Sequence, residues 1–196
     1  SSVYNRMDFN FFHELKSKVD HSLLMVGNYR NPKNLSTRAA TICNIKPPPT
    51  ARNFSAPPRI YTYQNLEQAL ENKLDEVVEN LLRSGILEKE ITILTFLNRS
   101  KSILGAHKKK IAGRPTLDLK QGSAWEDKSK GVIPWSTVSS FKGLENEYIL
   151  LIEAEIDELN DWYKSLIYVT ITRARTEFIY LGKKDSLMYN TILGVK

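Results

Sequence analysis

Three short segments of the chain carry side chains suited to binding a nucleotide or another polyanion. They are 28–32 (NYRNP), 137–145 (TVSSFKGLE) and 168–175 (YVTITRAR). Arg30 and Arg173 are permanent cations whose planar donor groups suit phosphate oxygens, and Tyr29 offers a flat ring for a base. Glu145 can accept hydrogen bonds from ribose hydroxyls, and Gly143 permits close approach of the backbone. Each such residue alone is more often a surface or packing residue, so the combination carries the prediction.

The segments lie at junctions between predicted strands and helices. Strands are predicted near residues 23–26, 59–63, 91–97, 132–138, 147–152 and 177–182. Helices are predicted from Pro32 to about Cys43, from Asn65 to about Gly85, and from about Glu158 to Arg175. The second helix has the clearest pattern, because its apolar residues recur every three or four positions and it is bounded by an N-cap residue and a glycine.

Alternation of short apolar strands with helices predicts an α/β fold with a mainly parallel sheet and helices on both faces. In such folds the functional residues lie in the loops at the ends of the strands, so the three segments are expected to cluster on one edge. The basic stretch 104–130 shows weak periodicity and is predicted to be a loop or a small insertion. No internal repeat is visible.

Composition agrees with a globular protein that binds a polyanion. The 196 residues carry a net charge of +6, and 41% of them are hydrophobic. With a single cysteine, Cys43, no internal disulfide can form, and a cytoplasmic location without a membrane partner is expected. The three histidines are scattered, so no metal site is predicted. The acidic residues between Glu153 and Asp161 are interpreted as a solvated loop and helix start.

In their order and spacing, the three segments resemble helicase motifs IV, V and VI of the UvrD/Rep family of superfamily 1 DNA helicases. The family patterns are NYR-S/N-P, T-hydrophobic-H-S-x-KGLE and YVA-x-TRA, and the resemblance covers most of the chain from Leu23 to Leu181. It implies that residues 1–196 form the second RecA-like motor domain of a longer protein, with the three-layer α/β architecture of that domain.

The resemblance implies a role in ATP binding and hydrolysis for five residues. Tyr29 would stack on adenine, Arg30 would reach the γ-phosphate, and Glu145 would bind the ribose in the segment that contains Gly143. Arg173 would be the arginine finger that stabilises charge on the transferring phosphoryl group across the cleft between two RecA-like domains. The competing structural interpretation is that Arg173 caps its helix or pairs with an acidic neighbour such as Glu177.

By the same resemblance, Thr137, Ser139, Ser140 and Lys142 would lie near the track of single-stranded DNA. Ser139 stands where the family usually has His, which removes a ring that could contact the strand, although a serine can still bond a phosphate. Thr170 stands where the family usually has a smaller residue, a change expected to be tolerated.

The chain lacks the Gly-rich phosphate loop, G-x-x-x-x-G-K-[ST], that such a motor needs. ATP with Mg²⁺ would therefore be held by an N-terminal RecA-like domain, and the isolated chain is expected to be inactive. The start at Ser1-Ser2 without Met favours a fragment of a longer protein. The stretch 104–130 is too short for the large accessory domain of classical members, which indicates a more compact branch.

The function predicted from the resemblance is that of an ATP-dependent DNA helicase or translocase. Its expected partners are single-stranded DNA or DNA with a single-stranded region, the N-terminal RecA-like domain of the same protein, and a nuclease or other repair or defence protein. The alternative is a non-catalytic RecA-like module that serves as a platform for DNA or a protein. A phosphate loop encoded upstream in the parent reading frame would separate the two.

Overall fold

The computed structural model describes residues 28, 30–50, 57–64, 67–120, 131–141 and 143–194. Its strands are β1 Arg59–Tyr63, β2 Ile91–Thr95, β3 Lys110–Ile111, β4 Arg114–Asp118, β5 Ile133–Thr137, β6 Asn146–Ile152 and β7 Ala174–Lys183. Its helices are α1 Lys33–Ile42, α2 Glu67–Arg83, α3 Ile103–Ala106, α4 Asp161–Ile171 and α5 Leu187–Leu193, with a 3₁₀ turn at Glu88–Glu90.

The strands form one seven-stranded sheet in the order β1-β7-β6-β2-β5-β4-β3. All neighbouring strands are parallel except β3 and β4, which are antiparallel. The six parallel strands therefore all begin at one end of the sheet, called here the amino end, and finish at the other, the carboxyl end. The predicted α/β class with a mainly parallel sheet is confirmed.

Helices cover both faces of the sheet, as in a three-layer RecA-like domain. On one face α1, α4 and α5 pack on a core that includes Ile149, Phe178 and Tyr180. On the other face α2 and α3 pack on a core that includes Ile93 and Ile179. Because adjacent residues of a strand point to opposite faces, Phe178 and Ile179 serve different cores.

The helix α2 forms where its apolar stripe predicts it. Leu70, Leu74, Val77, Val78 and Leu81 are all nearly or fully buried against the sheet. Three- and four-residue spacing places these side chains on one face of the helix, and burying a leucine or valine contributes about 1.5–3 kcal/mol. The predicted N-cap Asn65 and the predicted strand 23–26 lie outside the described residues.

The helix predicted from Pro32 to about Cys43 is confirmed to within one residue at each end, whereas the helix predicted from about Glu158 to Arg175 is shorter than expected. Pro32 is the N-cap of α1 and does not lie in its first turn. The helix predicted to continue to Arg175 ends at Ile171, and the chain enters β7 at Ala174. Backbone pairing of this segment with β6, which includes the bond from Asn146 N to Arg173 O (3.1 Å), overrides its local helical pattern.

The stretch 104–130, predicted to be a loop or a small insertion, contains regular secondary structure in its described part. Residues up to 120 form the end of the one-turn helix α3, the strand β3, and the strand β4, which extends the sheet beside β5. The sequence of β4, RPTLD, has little strand character, because it contains a proline and a single aliphatic residue. Backbone hydrogen bonds to β5 on one side and to β3 on the other stabilise the strand despite its low intrinsic strand propensity.

The carboxylate of Glu153, at the carboxyl end of β6, joins three elements of the fold. It accepts hydrogen bonds from Thr95 Oγ1 (2.8 Å), Ser102 Oγ (2.6 Å) and Ile103 N (2.8 Å). The residue is only 7% exposed, so its interpretation as part of a solvated acidic loop was wrong. Buried donors such as these cost free energy if they lose their acceptor.

Glu153→Ala is therefore expected to lower the free energy of unfolding of the chain by about 3 kcal/mol, because three buried donors lose a charged acceptor. Urea unfolding followed by circular dichroism measures this. Asp157→Ala is the matched control, since Asp157 is an exposed acidic residue close by, and its loss should change stability by less than about 0.5 kcal/mol. Equal effects of the two substitutions would contradict the assignment.

Candidate functional site

The structure brings Arg30, Glu145 and Arg173 together at the amino end of the sheet. Arg30 Nε lies 2.8 Å from Glu145 Oε2, and Arg173 Nη1 donates to the carbonyl of Leu144 at 3.4 Å. Glu145 immediately precedes β6 and Arg173 immediately precedes β7, so the pairing of these two strands brings the residues together. With Arg175, whose Nε is 3.7 Å from Glu145 Oε1, they are called here the amino-end cluster.

Two asparagines shape the turn that carries Arg30. Asn28 Oδ1 accepts from the backbone N–H groups of Arg30 (2.9 Å) and Asn31 (3.2 Å), which closes a tight turn before α1. The side chain of Asn31, which is 3% exposed, donates to the carbonyls of Thr172 (2.8 Å) and Ala174 (2.7 Å). The turn before α1 is thereby bonded to the turn before β7.

Arginine outnumbers carboxylate in the amino-end cluster. Arg175 also lies 3.5 Å from Glu147 Oε1, and Glu147 accepts from Thr176 Oγ1 at 2.6 Å. The side chains of Arg30, Arg175 and Glu145 are 51%, 45% and 34% exposed, so an incoming anion can reach them. The guanidinium groups of Arg30 and Arg175 beside the carboxylate of Glu145, with Arg173 in the adjacent turn, suit a phosphate together with a hydroxyl-bearing sugar.

Sequence reasoning missed Arg175 as a member of this cluster. Arg175, which was predicted to lie in a helix, lies in β7, whereas Arg173 lies in the turn before that strand. The helical assignment therefore did not predict that Arg175 lies near Glu145 and Glu147.

Glu177, the acidic neighbour considered as a partner for Arg173, forms its ion pair with Arg59, at 2.8 Å between Arg59 Nε and Glu177 Oε1. Burial raises the pKa of the Glu177 carboxyl, and the guanidinium of Arg59 offsets part of that rise. The residue therefore belongs to the contact between β1 and β7. It supplies a cross-strand charge pair in which Glu177 is buried and Arg59 is partly exposed.

Thr137, Ser139 and Ser140 lie at the carboxyl end of the sheet, opposite to Glu145. Thr137 is the last residue of β5, and the segment 138–145 then returns across the sheet to the start of β6. Val138 (3% exposed) and Phe141 (1%) anchor this crossing in the core. The expectation that all motif residues share one edge was therefore wrong, because parallel strands require the connection between them to run the length of the sheet.

Arg99, which sequence reasoning also missed, holds the loop after β5. Its Nη1 donates to Ser140 Oγ at 2.9 Å, and its Nε lies 3.1 and 3.0 Å from the carboxylate oxygens of Asp118. Thr137 Oγ1 donates to the same Ser140 oxygen at 3.0 Å. Arg99 follows the predicted strand 91–97, so its position just past a strand end was a usable signal. Arg99, Thr137, Ser139 and Ser140 are called here the carboxyl-end group.

A cleft of about 350 Å³ opens beside the carboxyl-end group. It is lined by Arg99, Ser100, Leu104, Gly105, Lys109, Thr116, Asp118 and Trp135. A Cβ at Gly105 would lie 1.8 Å from the carbonyl oxygen of Arg99, so only glycine permits this approach of the backbones. The loop that carries Arg99 is therefore packed tightly on α3.

The structure says little about three further residues that were predicted to belong to the site. Tyr29 and Lys142 lie outside the described residues. Gly143 has a φ of +85°, a conformation that glycine adopts without strain, and nothing lies within 4 Å of the position of an added Cβ. Within the described ranges no group of three or more metal-ligating residues could hold a metal ion, and no helix there is long and apolar enough to cross a membrane.

Among the solved structures with a similar fold is the C-terminal domain of a possible DNA helicase from Lactobacillus plantarum WCFS1. The two share 16% sequence identity with a TM-score of 0.60, and the match covers 84% of this chain and 94% of that one. No protein-family model and no curated protein sequence matches the chain. At this identity the likeness establishes the shared fold of a helicase C-terminal domain.

The pair of Arg30 and Glu145 is expected to contribute little to folding. Exposed ion pairs are worth about 0–1 kcal/mol. The side chain of Arg30 is 51% exposed and that of Glu145 is 34% exposed. A double-mutant cycle with Arg30→Ala and Glu145→Ala, measured by urea unfolding, should give a coupling energy below about 1 kcal/mol. The exposed pair of Arg83 and Glu79 on α2 is the matched control. A coupling above about 2 kcal/mol would make the pair a structural element.

Proposed function

We propose that the chain is the second RecA-like motor domain of an ATP-dependent DNA helicase or translocase of the UvrD/Rep type. The observation that carries the proposal is the convergence of Arg30, Glu145 and Arg173, which come from three distant segments, on one accessible cluster at the amino end of the sheet. The fold shared with the C-terminal domain of a possible DNA helicase supports it. The exposed pair of Arg30 and Glu145 is expected to add little to the stability of the fold, so stability does not require these two charges to meet.

In this proposal the amino-end cluster faces ATP that is bound, with Mg²⁺, to an N-terminal RecA-like domain. Without nucleotide, Arg30 pairs with Glu145 at 2.8 Å. On binding, Arg30 exchanges this carboxylate for the γ-phosphate, and the released Glu145 accepts hydrogen bonds from the ribose hydroxyls. An exchange between two anionic partners costs little, since an exposed pair is weak to begin with.

Arg173 supplies the chemical contribution of the domain. During hydrolysis water attacks the γ-phosphorus, the bond to the bridging oxygen breaks, and negative charge grows on the transferring group. A guanidinium placed against that group stabilises the transition state more than the ground state, which raises kcat. The turn before β7 is fixed on both sides, by the side chain of Asn31 and by a backbone N–H of β6, and so provides a rigid base for this side chain.

The carboxyl-end group forms part of the single-stranded DNA track in the same proposal. Its hydroxyls suit phosphate oxygens, and Arg99, whose side chain is 24% exposed, exchanges Asp118 or Ser140 for a phosphate oxygen in this proposal. The adjoining cleft also contains Lys109, whose Nζ donates to Gly105 O at 3.1 Å. Separation of the two sites at opposite ends of the sheet lets ATP and DNA bind at the same time.

Arg173→Ala in the intact protein is expected to lower kcat for DNA-stimulated ATP hydrolysis by about 10³, because the developing phosphate charge loses its stabiliser. Arg173→Lys should be nearly as inactive, since it keeps the charge and loses the planar fork. Steady-state kinetics and a melting curve measure the two effects, and Tm and DNA affinity should barely change. Arg83→Ala, at an exposed arginine on α2, is the control with the wild-type rate.

Wild-type turnover by the Arg173→Ala protein, or its failure to fold, would remove the catalytic role. An intact protein that binds DNA and never hydrolyses ATP would instead support the non-catalytic platform.

Arg99→Ala is expected to weaken binding of single-stranded DNA by the intact protein about 10-fold and to reduce the slope of log K against log salt by about 0.7, as for the loss of one phosphate contact. Fluorescence anisotropy with a labelled oligonucleotide over a salt series measures both. Asp118→Asn keeps Arg99 and removes its competing carboxylate, so affinity should rise. Arg114→Ala, which removes an exposed cation at the opposite end of the sheet, is the control. An unchanged salt slope in Arg99→Ala would exclude the contact.

A further inference from the structure

Asn31 makes the direct side-chain connection between the turn that carries Arg30 and the turn that carries Arg173. Its two amide hydrogens go to the carbonyls of Thr172 (2.8 Å) and Ala174 (2.7 Å), which are 141 and 143 residues away in sequence. These are the carbonyls on either side of Arg173. Since Asn31 is 3% exposed, water is not available to replace these bonds.

The carbonyl between them is held as well. Arg173 O accepts from the backbone N–H of Asn146 at 3.1 Å, so three consecutive carbonyls of the turn have fixed donors. Two of the three donors come from one side chain, which is itself oriented by Asn28, whose Nδ2 lies 3.2 Å from Asn31 Oδ1. Both amide hydrogens and the amide oxygen of Asn31 are thus used.

We infer that Asn31 is a positioning residue for the hydrolysis step: it fixes the backbone on either side of Arg173 and, through its own place in the chain, sets the distance between Arg173 and Arg30. The inference rests on the proposed function, because it gives Asn31 a role only through Arg173. A neutral amide suits this task, since it supplies two donors on one nitrogen and adds no charge that would compete for phosphate.

A purely structural role for Asn31 would leave a different signature. Loss of two buried hydrogen bonds lowers stability whatever Arg173 does, but it has no reason to lower kcat in a protein that remains folded. A misplacement of about 1 Å in a catalytic group can cost about 100-fold in rate, and loss of a supporting residue typically costs about 10- to 100-fold. The two roles therefore separate in kinetics measured below Tm.

The test is a double-mutant cycle in the intact protein with Asn31→Ala, Arg173→Ala and the double variant, assayed for ATP hydrolysis at saturating single-stranded DNA. Asn31→Ala is expected to lower kcat about 10- to 100-fold with KM for ATP changed less than about 3-fold, as for an interaction made in the transition state. In the Arg173→Ala background the same substitution should change kcat less than about 2-fold, because its effect passes through that arginine.

Asn146→Ala is the matched control. Asn146 is another buried asparagine at the amino end, and its Nδ2 also makes two hydrogen bonds, to Lys89 O (3.0 Å) and Thr92 Oγ1 (2.9 Å), while its bond to Arg173 O comes from the backbone and survives the substitution. A similar loss of Tm with a kcat within about 3-fold of wild type is expected. If Asn31→Ala is unfolded at the assay temperature, Asn31→Ser, which keeps one hydroxyl donor, takes its place in the cycle.

The inference is overturned if Asn31→Ala lowers kcat no more than Asn146→Ala, or if its effect is undiminished in the Arg173→Ala background. Wild-type turnover by Arg173→Ala alone is a separate result, since it contradicts the proposed function before the role of Asn31 is in question.

Discussion

Parallel pairing between β6 and β7, which starts at Asn146 and Ala174, is the constraint on which the amino-end cluster depends. With this pairing α4 ends at Ile171, a turn of two residues leads into β7 at Ala174, and the segment of Glu145 lies beside Arg173. The side chain of Asn31 adds Arg30 to this arrangement, because its hydrogen bonds join the turn before β7 to the turn before α1. Charges from three segments therefore meet without contributing much to stability themselves.

The two ends of the sheet differ in whether their charged side chains are buried or exposed. At the carboxyl end, a buried carboxylate, Glu153, accepts hydrogen bonds from β2, α3 and the loop between them, and it ties these elements together. At the amino end, the pair of Arg30 and Glu145 is exposed and can exchange partners at small cost. A rigid support beneath weakly held charges is what a site that repeatedly binds and releases an anion requires.

One crossing segment, 138–145, joins the two ends. Near its start, Ser140 accepts a hydrogen bond from Arg99. At its end, Glu145 forms an ion pair with Arg30. Phe141 anchors its middle in the core at 1% exposure. Under the proposed function the nine residues from 137 to 145 are the shortest covalent path between the DNA track and the nucleotide.

The sequence by itself determined the α/β class, most strand positions and the helix α2, because hydrophobic periodicity reports which faces are buried. It also singled out Arg30, Glu145 and Arg173 through their resemblance to helicase motifs, whereas Tyr29 and Lys142 lie outside the described residues. Tertiary structure alone decided where α4 ends, that β4 extends the sheet, and that Thr137 and Glu145 lie at opposite ends. It also decided the contacts of Asn31, Arg99 and Arg175. These features depend on pairing between distant segments, which local propensity cannot encode because the partners are separated by as many as 143 residues.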